Sequence, residues 1–563
     1  MAKLVKKTKK KLGSRGLSGG GPGGGRLTSD LRPRYAPKTP PCIDMCPNKN
    51  NIREMLMTVG QSEKYERPYE ESLEKAFYIW AEKNPLPSVC GRVCPHPCET
   101  GCNRNEKEGP VGINSMERYL GDFAIDKGLP LKKLTGETYP EKIAVVGSGP
   151  SGLSCAYQLA RKGYGVTVYE AFSKPGGMLR YGIPPYRLPH DILDAEIQRI
   201  LDMGVELKCD TSIGRDVPYE KLKEDYSAIY VAIGAHKGKL LNVEGEDAEN
   251  VLTGTEFLNQ ANSGRPVDIG KKVIVIGGGD TAIDAARVSR RLGAEATILY
   301  RRTRTEMPAI EEEIEGALEE GVKIEYLAAP IAFIKDNGRA KGMKCIRMEL
   351  GEPDDSGRRR PVPIQGSEFD VDADCVIAAI SQEPDFEGLE NLKAGPRDWI
   401  KADETGATGM EKTYAGGDVL DLGLVVVAIF QGRMAAEAIH HNLRGTQPEP
   451  VENLPVIKAD KMKLDFYDPK ARNDQAALPV SERFESVDKE VNLGYTEQQM
   501  RDESQRCMSC ASCFDCGTCW SYCQDQAIVK PLVKGEPYTF KMDFCQGCKK
   551  CAEECPCGFI EMV

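Results

Sequence analysis

Apolar positions recur at helical spacing in two early stretches, Asn51 to Gly60 and Glu70 to Glu82, and the spacing predicts helices in both. They lie in a segment, residues 41–140, whose cysteines fall between such stretches. That pattern gives a helical domain with cysteine-bearing loops. From Glu141 the pattern changes to short apolar runs, glycine turns and amphipathic stretches, which is how doubly wound α/β domains read. A second strand–glycine–helix unit begins at Lys271. Strand-like runs return from Cys375 to Ile380, and a last glycine-rich segment lies near Gly416. The simplest arrangement inserts one α/β domain, residues 266–374, into another built from residues 141–265 and 375–450. Residues 451–505 bear prolines and charges with little periodicity, as a long linker over a surface does. Residues 506–563 form a small cysteine-dense domain. At the other end, residues 1–40 contain the run Gly19 to Gly25, which has almost no side chain to bury and reads as a flexible basic and glycine-rich arm.

The length of 563 residues suits about three to four domains. No apolar run approaches the ~20 residues of a membrane span. The first residues carry Lys3, Lys6, Lys7, Lys9, Lys10 and Lys11 with no apolar stretch behind them, so no secretory signal is expected and the location reads as cytoplasmic. A net charge of −10 argues against nucleic acid as the main partner. The 21 cysteines change the picture more. All but Cys155, Cys209, Cys345 and Cys375 fall in two tight groups, and with only 5 histidines in the chain Cys/His zinc sites have little to draw on. A reducing compartment disfavours disulfides. The four isolated cysteines read as small buried hydrophobes.

Two glycine fingerprints sit between strand and helix. In the first, Gly147, Gly149 and Gly152 give a tight turn, close approach of backbone to pyrophosphate, and close helix–strand packing. Glu170 ends the next strand, where a carboxylate can accept from ribose hydroxyls. In the second, Gly277, Gly279 and Ala282 hold the same frame, but the strand ends in Tyr300, Arg301 and Arg302. Guanidinium groups there can bind a 2′-phosphate that a carboxylate would repel. The pair therefore predicts FAD at the first site and NADPH (or NADH) at the second. Asp418, after a glycine pair and before a helix, is placed to meet the flavin. No Cys-x-x-Cys lies within residues 271–374, which disfavours thioredoxin-reductase chemistry.

At the C-terminus Cys513, Cys516, Cys519 and Cys523 follow the two-cluster ferredoxin spacing, as do Cys545, Cys548, Cys551 and Cys555. Each fourth cysteine then serves the other cluster, giving the sets Cys513, Cys516, Cys519, Cys555 and Cys545, Cys548, Cys551, Cys523. Gln524 replaces the usual proline of the first run. Cys507, Cys510 and Cys557 are left over, as spare thiols or otherwise. Near the N-terminus Cys42, Cys46, Cys90, Cys94, Cys98 and Cys102 favour cluster ligation over structural zinc.

With these motifs the chain resembles the glutamate synthase small-subunit family over about residues 41–445, in GGGDTAIDAAR, YRRTRTEMPA and AGGD especially. The resemblance implies a fold of two doubly wound dinucleotide-binding domains, with the NAD(P) domain inserted in the FAD domain, behind a helical iron–sulfur domain. It implies that Gly149, Pro150, Ser151, Glu170, Gly177, Leu179, Arg187 and Asp418 bind FAD, and that Asp280, Thr281, Arg301, Arg302 and Ala379 line the NADPH site. Ser381 stands where the family usually has glycine. The family's flavin-proximal cluster maps to Cys46, Cys94, Cys98 and Glu117. Its distal cluster maps only to Cys42 and Cys102, because an earlier Cys-x-x-Cys is missing here, with Cys90 as a substitute ligand. The glycine-rich arm and the C-terminal ferredoxin domain are similar to DsrL-type proteins, which work with dissimilatory sulfite reductase. The activity these features imply is hydride exchange between NAD(P)H and FAD, then one-electron transfer through 4Fe–4S clusters to or from a protein partner. Sulfite reductase, ferredoxin or a glutamate synthase large subunit are the candidates, and pairing with a second copy of the chain is compatible with the sequence.

Overall fold

The computed structural model describes residues 29–393, 399–450 and 452–563, so the Gly19–Gly25 run lies outside the described residues. Both early helices form where the apolar spacing placed them, at Ile52–Gly60 and Tyr69–Ala81. Ile52, Met55, Leu56 and Val59 of the first face Leu73, Ala76, Phe77 and Trp80 of the second in one core. Helices Pro87–Val93 and Ile113–Asp126 pack beside them so closely that a Cβ on Gly91 would fall 2.3 Å from the Arg118 amide nitrogen.

Two five-stranded parallel sheets follow. The first has the order Thr413–Ala415, Ala228–Val231, Lys142–Val146, Gly165–Tyr169, Glu206–Lys208. The second has the order Lys323–Tyr326, Glu295–Tyr300, Lys272–Ile276, Cys375–Ala378, Val251–Thr253. The first sheet's edge strand Thr413–Ala415 comes from beyond the second sheet in sequence, so the second domain is inserted into the first. The expected boundaries are corrected, however. Cys375–Ala378 was assigned to the returning outer domain, yet it is a fully buried strand inside the inserted sheet, and Val251–Thr253 is that sheet's edge. An apolar run covered on both faces belongs in the interior of a parallel sheet, which is where CVIA lies. The chain crosses between domains at Lys237–Gly238 and Gln382–Glu383, which pair antiparallel.

Residues 452–505 do more than link. Val491 enters the core of the inserted domain, while Tyr495 and Met500 enter that of the N-terminal domain. Helix Glu497–Ser504 starts in a capping box between Thr496 and Gln499. Part of the expected arm is also ordered: Pro33–Tyr35 pairs antiparallel with Ile560–Met562, tying the N-terminal residues to the last strand of the chain. The C-terminal domain carries one short helix in each cysteine run, Thr518–Ser521 and Lys550–Glu553, each preceded by a residue at positive φ, Gly517 and Lys549. No helix among the described residues is long and apolar enough to cross a membrane.

Candidate active site: two nucleotide clefts and their cysteine groups

The first cleft opens at the strand–helix turn after Val146. Helix Pro150–Arg161 begins at Gly149 with no side chain capping it, so its first N–H groups are free to meet an anion. A Cβ on Gly149 would meet nothing within 4 Å, which leaves room for phosphate against the backbone, whereas one on Gly152 would strike the Gly147 carbonyl oxygen at 2.0 Å. The same cleft is lined by Ser151, Glu170, Gly177, Leu179, His236 and Asp418. Glu170 accepts from the Ser148 and Phe172 amides at 3.1 and 2.9 Å, and burial pushes its carboxyl up. Burial also raises Asp418, to about 6, where it accepts from the Gly423 amide at 3.1 Å. His236 is driven down to about 4 by burial, so it lines the cleft as a neutral ring.

The second cleft lies at the matching turn of the inserted domain. Helix Asp280–Arg291 starts at Gly279, again uncapped. Gly277, Gly279, Thr281, Arg301, Arg302, Ala379 and Ser381 line it, with Arg358 among them. Gln382 lines both clefts, so the two meet at the crossing strand. A nicotinamide end from one side and a flavin from the other would face each other there.

Two residues implied by resemblance stand elsewhere than expected, and a third is engaged by the protein itself. Arg187 does not line the first cleft. It is buried against the inserted domain, with Nη1 2.8 Å from Asp284 Oδ2 and Nε 3.1 Å from Glu313 Oε1. Asp280 does not line the second cleft but accepts from the Ile310 amide at 3.0 Å, holding the loop that closes it. Arg302 lines the cleft with its guanidinium already engaged, by Asp354 Oδ2 at 2.6 Å and the Arg359 carbonyl at 2.7 Å. Arg301 is exposed, and burial of its stem together with its neighbours Arg302 and Arg358 disfavours its charge, which marks a concentrated positive patch. Arg301 and Arg358 line the cleft beside Arg302, and Arg358 is not marked in the sequence because it sits on a hairpin some 55 residues away.

None of the 21 cysteines is paired in a disulfide. Among the described residues no three Cys, His, Asp or Glu side chains are arranged to hold a single metal ion. What the structure shows is proximity around shared interior space. Cys46, Cys94, Cys98 and Glu117 lie near one another: burial disfavours ionisation of the three thiols, and the Glu117 carboxylate adds to this in each. Glu117 Oε1 accepts from Trp80 Nε1 at 2.9 Å and Asn84 Nδ2 at 2.8 Å. Helix Val425–Arg444 leads from the first cleft to this group: Val425 and Ala428 line the cleft, and Arg433 donates to Asn48 Oδ1 beside Cys46. Five residues of helix span roughly 8 Å.

In the C-terminal domain Cys513, Cys516, Cys519 and Cys555 line one small pocket together with Tyr35, Tyr538 and Cys557. Cys545, Cys548 and Cys523 surround Cys551, which burial and then their charges push up to about 11. Cys555 of the second run thus lies with the first, and Cys523 of the first lies with the second. Cys557, unassigned by sequence, lies 3.8 Å from Cys555.

Two nucleotide clefts meeting at one residue, with buried thiol groups leading away from the first, define an iron–sulfur flavoprotein oxidoreductase. A family described as pyridine nucleotide-disulphide oxidoreductase matches residues 141–432, and one described as dihydropyrimidine dehydrogenase domain II, 4Fe-4S cluster, matches residues 35–129. The chain belongs to the pyridine nucleotide-disulphide oxidoreductases, with FAD, NAD(P)H and 4Fe–4S clusters as cofactors. It is 40% identical over 514 residues to NADPH-Fe(3+) oxidoreductase subunit beta of Geobacter sulfurreducens, covering 84% of this chain and 75% of that one. It is 39% identical over 510 residues to the NADP(+)-dependent formate dehydrogenase subunit beta of Moorella thermoacetica, covering 84% and 70%. The small chain of the Escherichia coli NADPH glutamate synthase is 34% identical over 429 residues, covering 71% and 88%. Among solved structures, Mycobacterium tuberculosis FprA in complex with NADPH superposes with a TM-score of 0.50 over 55% of this chain and 88% of that one, at 18% identity, a likeness of fold.

Proposed function

We propose that this chain exchanges electrons with NADPH at its inserted domain and passes them singly to or from a protein partner bound at its C-terminal end. Bound FAD supplies hydride exchange and one-electron release, and bound 4Fe–4S clusters supply one-electron relay. The residues provide position and charge. The uncapped helix ends at Gly149 and Gly279 hold the two pyrophosphates, Glu170 and Asp418 fix the flavin nucleotide, and Arg301 with Arg358 selects the 2′-phosphate. Glu117 joins Cys46, Cys94 and Cys98 as the group nearest the flavin.

The observation that carries this reading is the convergence of both clefts on Gln382 beside the helix that leads to Cys46. Relatives named as subunits of NADPH-dependent complexes support a protein partner. The narrower reading, dissimilatory sulfite reductase as that partner, rests on the glycine-rich arm and the ferredoxin-like end. The test is a steady-state comparison of NADPH and NADH as donors with sulfite reductase, with ferredoxin and with a small dye. NADPH preference and reduction of a protein acceptor are expected. Activity with the dye alone would confine the chain to diaphorase chemistry.

A further inference from the structure

Cys42, in the short helix Pro41–Met45, and Cys102, just before the turn Asn103–Glu106, are the two thiols for which the N-terminal domain offers too few companions. Cys90 sits with Cys94 instead, Asn114 Nδ2 donating to both their carbonyls at 3.1 and 3.4 Å. It is buried in helix Pro87–Val93, where its neighbours are Glu117, Cys94, Asn84 and Glu196. The companions come instead from more than 400 residues away. Cys42, Cys102 and Cys507 all pack against the core of the N-terminal domain, and Cys510 Sγ lies against the side chain of Asn103, the residue after Cys102.

The segment that brings them is fixed to the N-terminal domain by buried polar contacts. Arg506 donates to the carbonyls of Pro110 and Gly109 at 2.7 and 2.8 Å, and its own carbonyl accepts from Arg104 Nη1 at 2.9 Å. Arg53 Nε donates to Ser509 Oγ at 3.0 Å. Asn103 Nδ2 stands 3.7 Å from Cys510 Sγ, and the Ser509 amide donates to Cys507 Sγ at 3.4 Å from a backbone at φ +49°. Amide donors to sulfur stabilise thiolates bound to iron. Arg53, Arg104 and Arg506 all make their hydrogen bonds in this segment, so cations stand near groups that would be anionic when metallated.

We propose that Cys42, Cys102, Cys507 and Cys510 bind one 4Fe–4S cluster, with two ligands from each end of the chain. The Cys-x-x-Cys missing ahead of Cys42 is replaced by the one at Cys507 and Cys510. The site lies against the C-terminal domain, since Tyr467 packs with Cys510 and stacks on Phe514, which follows Cys513. The C-terminal domain is then no detachable appendage but shares metal with the first domain. The assignment does not depend on NADPH preference or on the identity of the partner.

The test is metal analysis of the anaerobically purified full chain and its variants. Wild type should carry about 16 iron per FAD, for four clusters, where three clusters would give about 12. Cys507→Ser with Cys510→Ser, and separately Cys42→Ser, should each lose about four iron and the same EPR signal of the reduced protein, with FAD still bound. Cys90→Ser should keep both. About 12 iron in wild type, zinc in place of iron, full iron in the Cys507/Cys510 variant, or a matching loss in Cys90→Ser would each overturn the assignment. The wild-type count stands even if a variant fails to fold.

Discussion

Arg187 Nη1 stands 2.8 Å from Asp284 Oδ2, and both side chains are almost wholly buried where the outer domain meets the inserted one. Tyr186 donates its hydroxyl to the other oxygen of the same carboxylate at 2.9 Å. Burial raises Asp284 to about 6 even with Arg187 beside it. Arg187→Ala therefore leaves a buried carboxylate without its cation and should lower stability by about 3–5 kcal/mol. FAD should still bind at its usual stoichiometry below the new unfolding midpoint. Chemical denaturation together with the flavin-to-protein ratio checks this, and flavin lost at unchanged stability would restore Arg187 to the first cleft.

The split between neighbouring arginines gives a second expectation. Arg301→Ala and Arg358→Ala should each raise the KM for NADPH about tenfold while leaving that for NADH nearly unchanged, the effect of about 1.4 kcal/mol from one charge-assisted contact. Arg302→Ala removes the partner of Asp354 and should act mainly on the stability of the hairpin. Equal losses with both nucleotides in the Arg301 variant would count against a 2′-phosphate site.

Glu117 is buried with two donors on one oxygen. Glu117→Ala should cost about four iron and one EPR signal with FAD retained. Glu117→Gln, which keeps an oxygen for Trp80 and Asn84, should retain the iron and shift the midpoint potential of that signal. Unchanged iron in both variants would make Glu117 a hydrogen-bond anchor only.

Glu196 joins the outer domain to the N-terminal one by accepting from the amides of Ser88 and Val89 at 2.9 and 3.0 Å. Burial outweighs these donors and Arg199, and raises its carboxyl to about 7. A folded-state value above the unfolded ~4.3 means stability that is full below about pH 4.3 and is lost as pH rises to about 7. Wild type should thus lose stability relative to Glu196→Gln across that window and run parallel to it above. Denaturation midpoints at several pH values give the comparison, and a difference that does not vary with pH would contradict the burial.

The two sheets and the insertion were legible because each rests on a local signal, a glycine frame beside an apolar run, and the two ferredoxin runs because their cysteines stand at fixed spacing. Relations set by packing at long range were not. Arg187 carries no local mark of an interdomain ion pair, and Arg358 reaches the second cleft only through the hairpin of Arg339–Pro353 and Arg359–Pro363. Cys507 and Cys510 read as surplus because their companions are at the far end of the chain. The strand Cys375–Ala378 was misassigned since a four-residue apolar run shows that it is buried but not in which of two parallel sheets.

The most direct test of the central claim is an anaerobic titration of the holoprotein with NADPH, following flavin absorbance and cluster EPR together. The account predicts flavin bleaching, growth of the cluster signals, and uptake of more than one NADPH per FAD as electrons spread over the iron. Flavin reduced by a single equivalent, with every cluster still oxidised in the presence of excess NADPH, would contradict it.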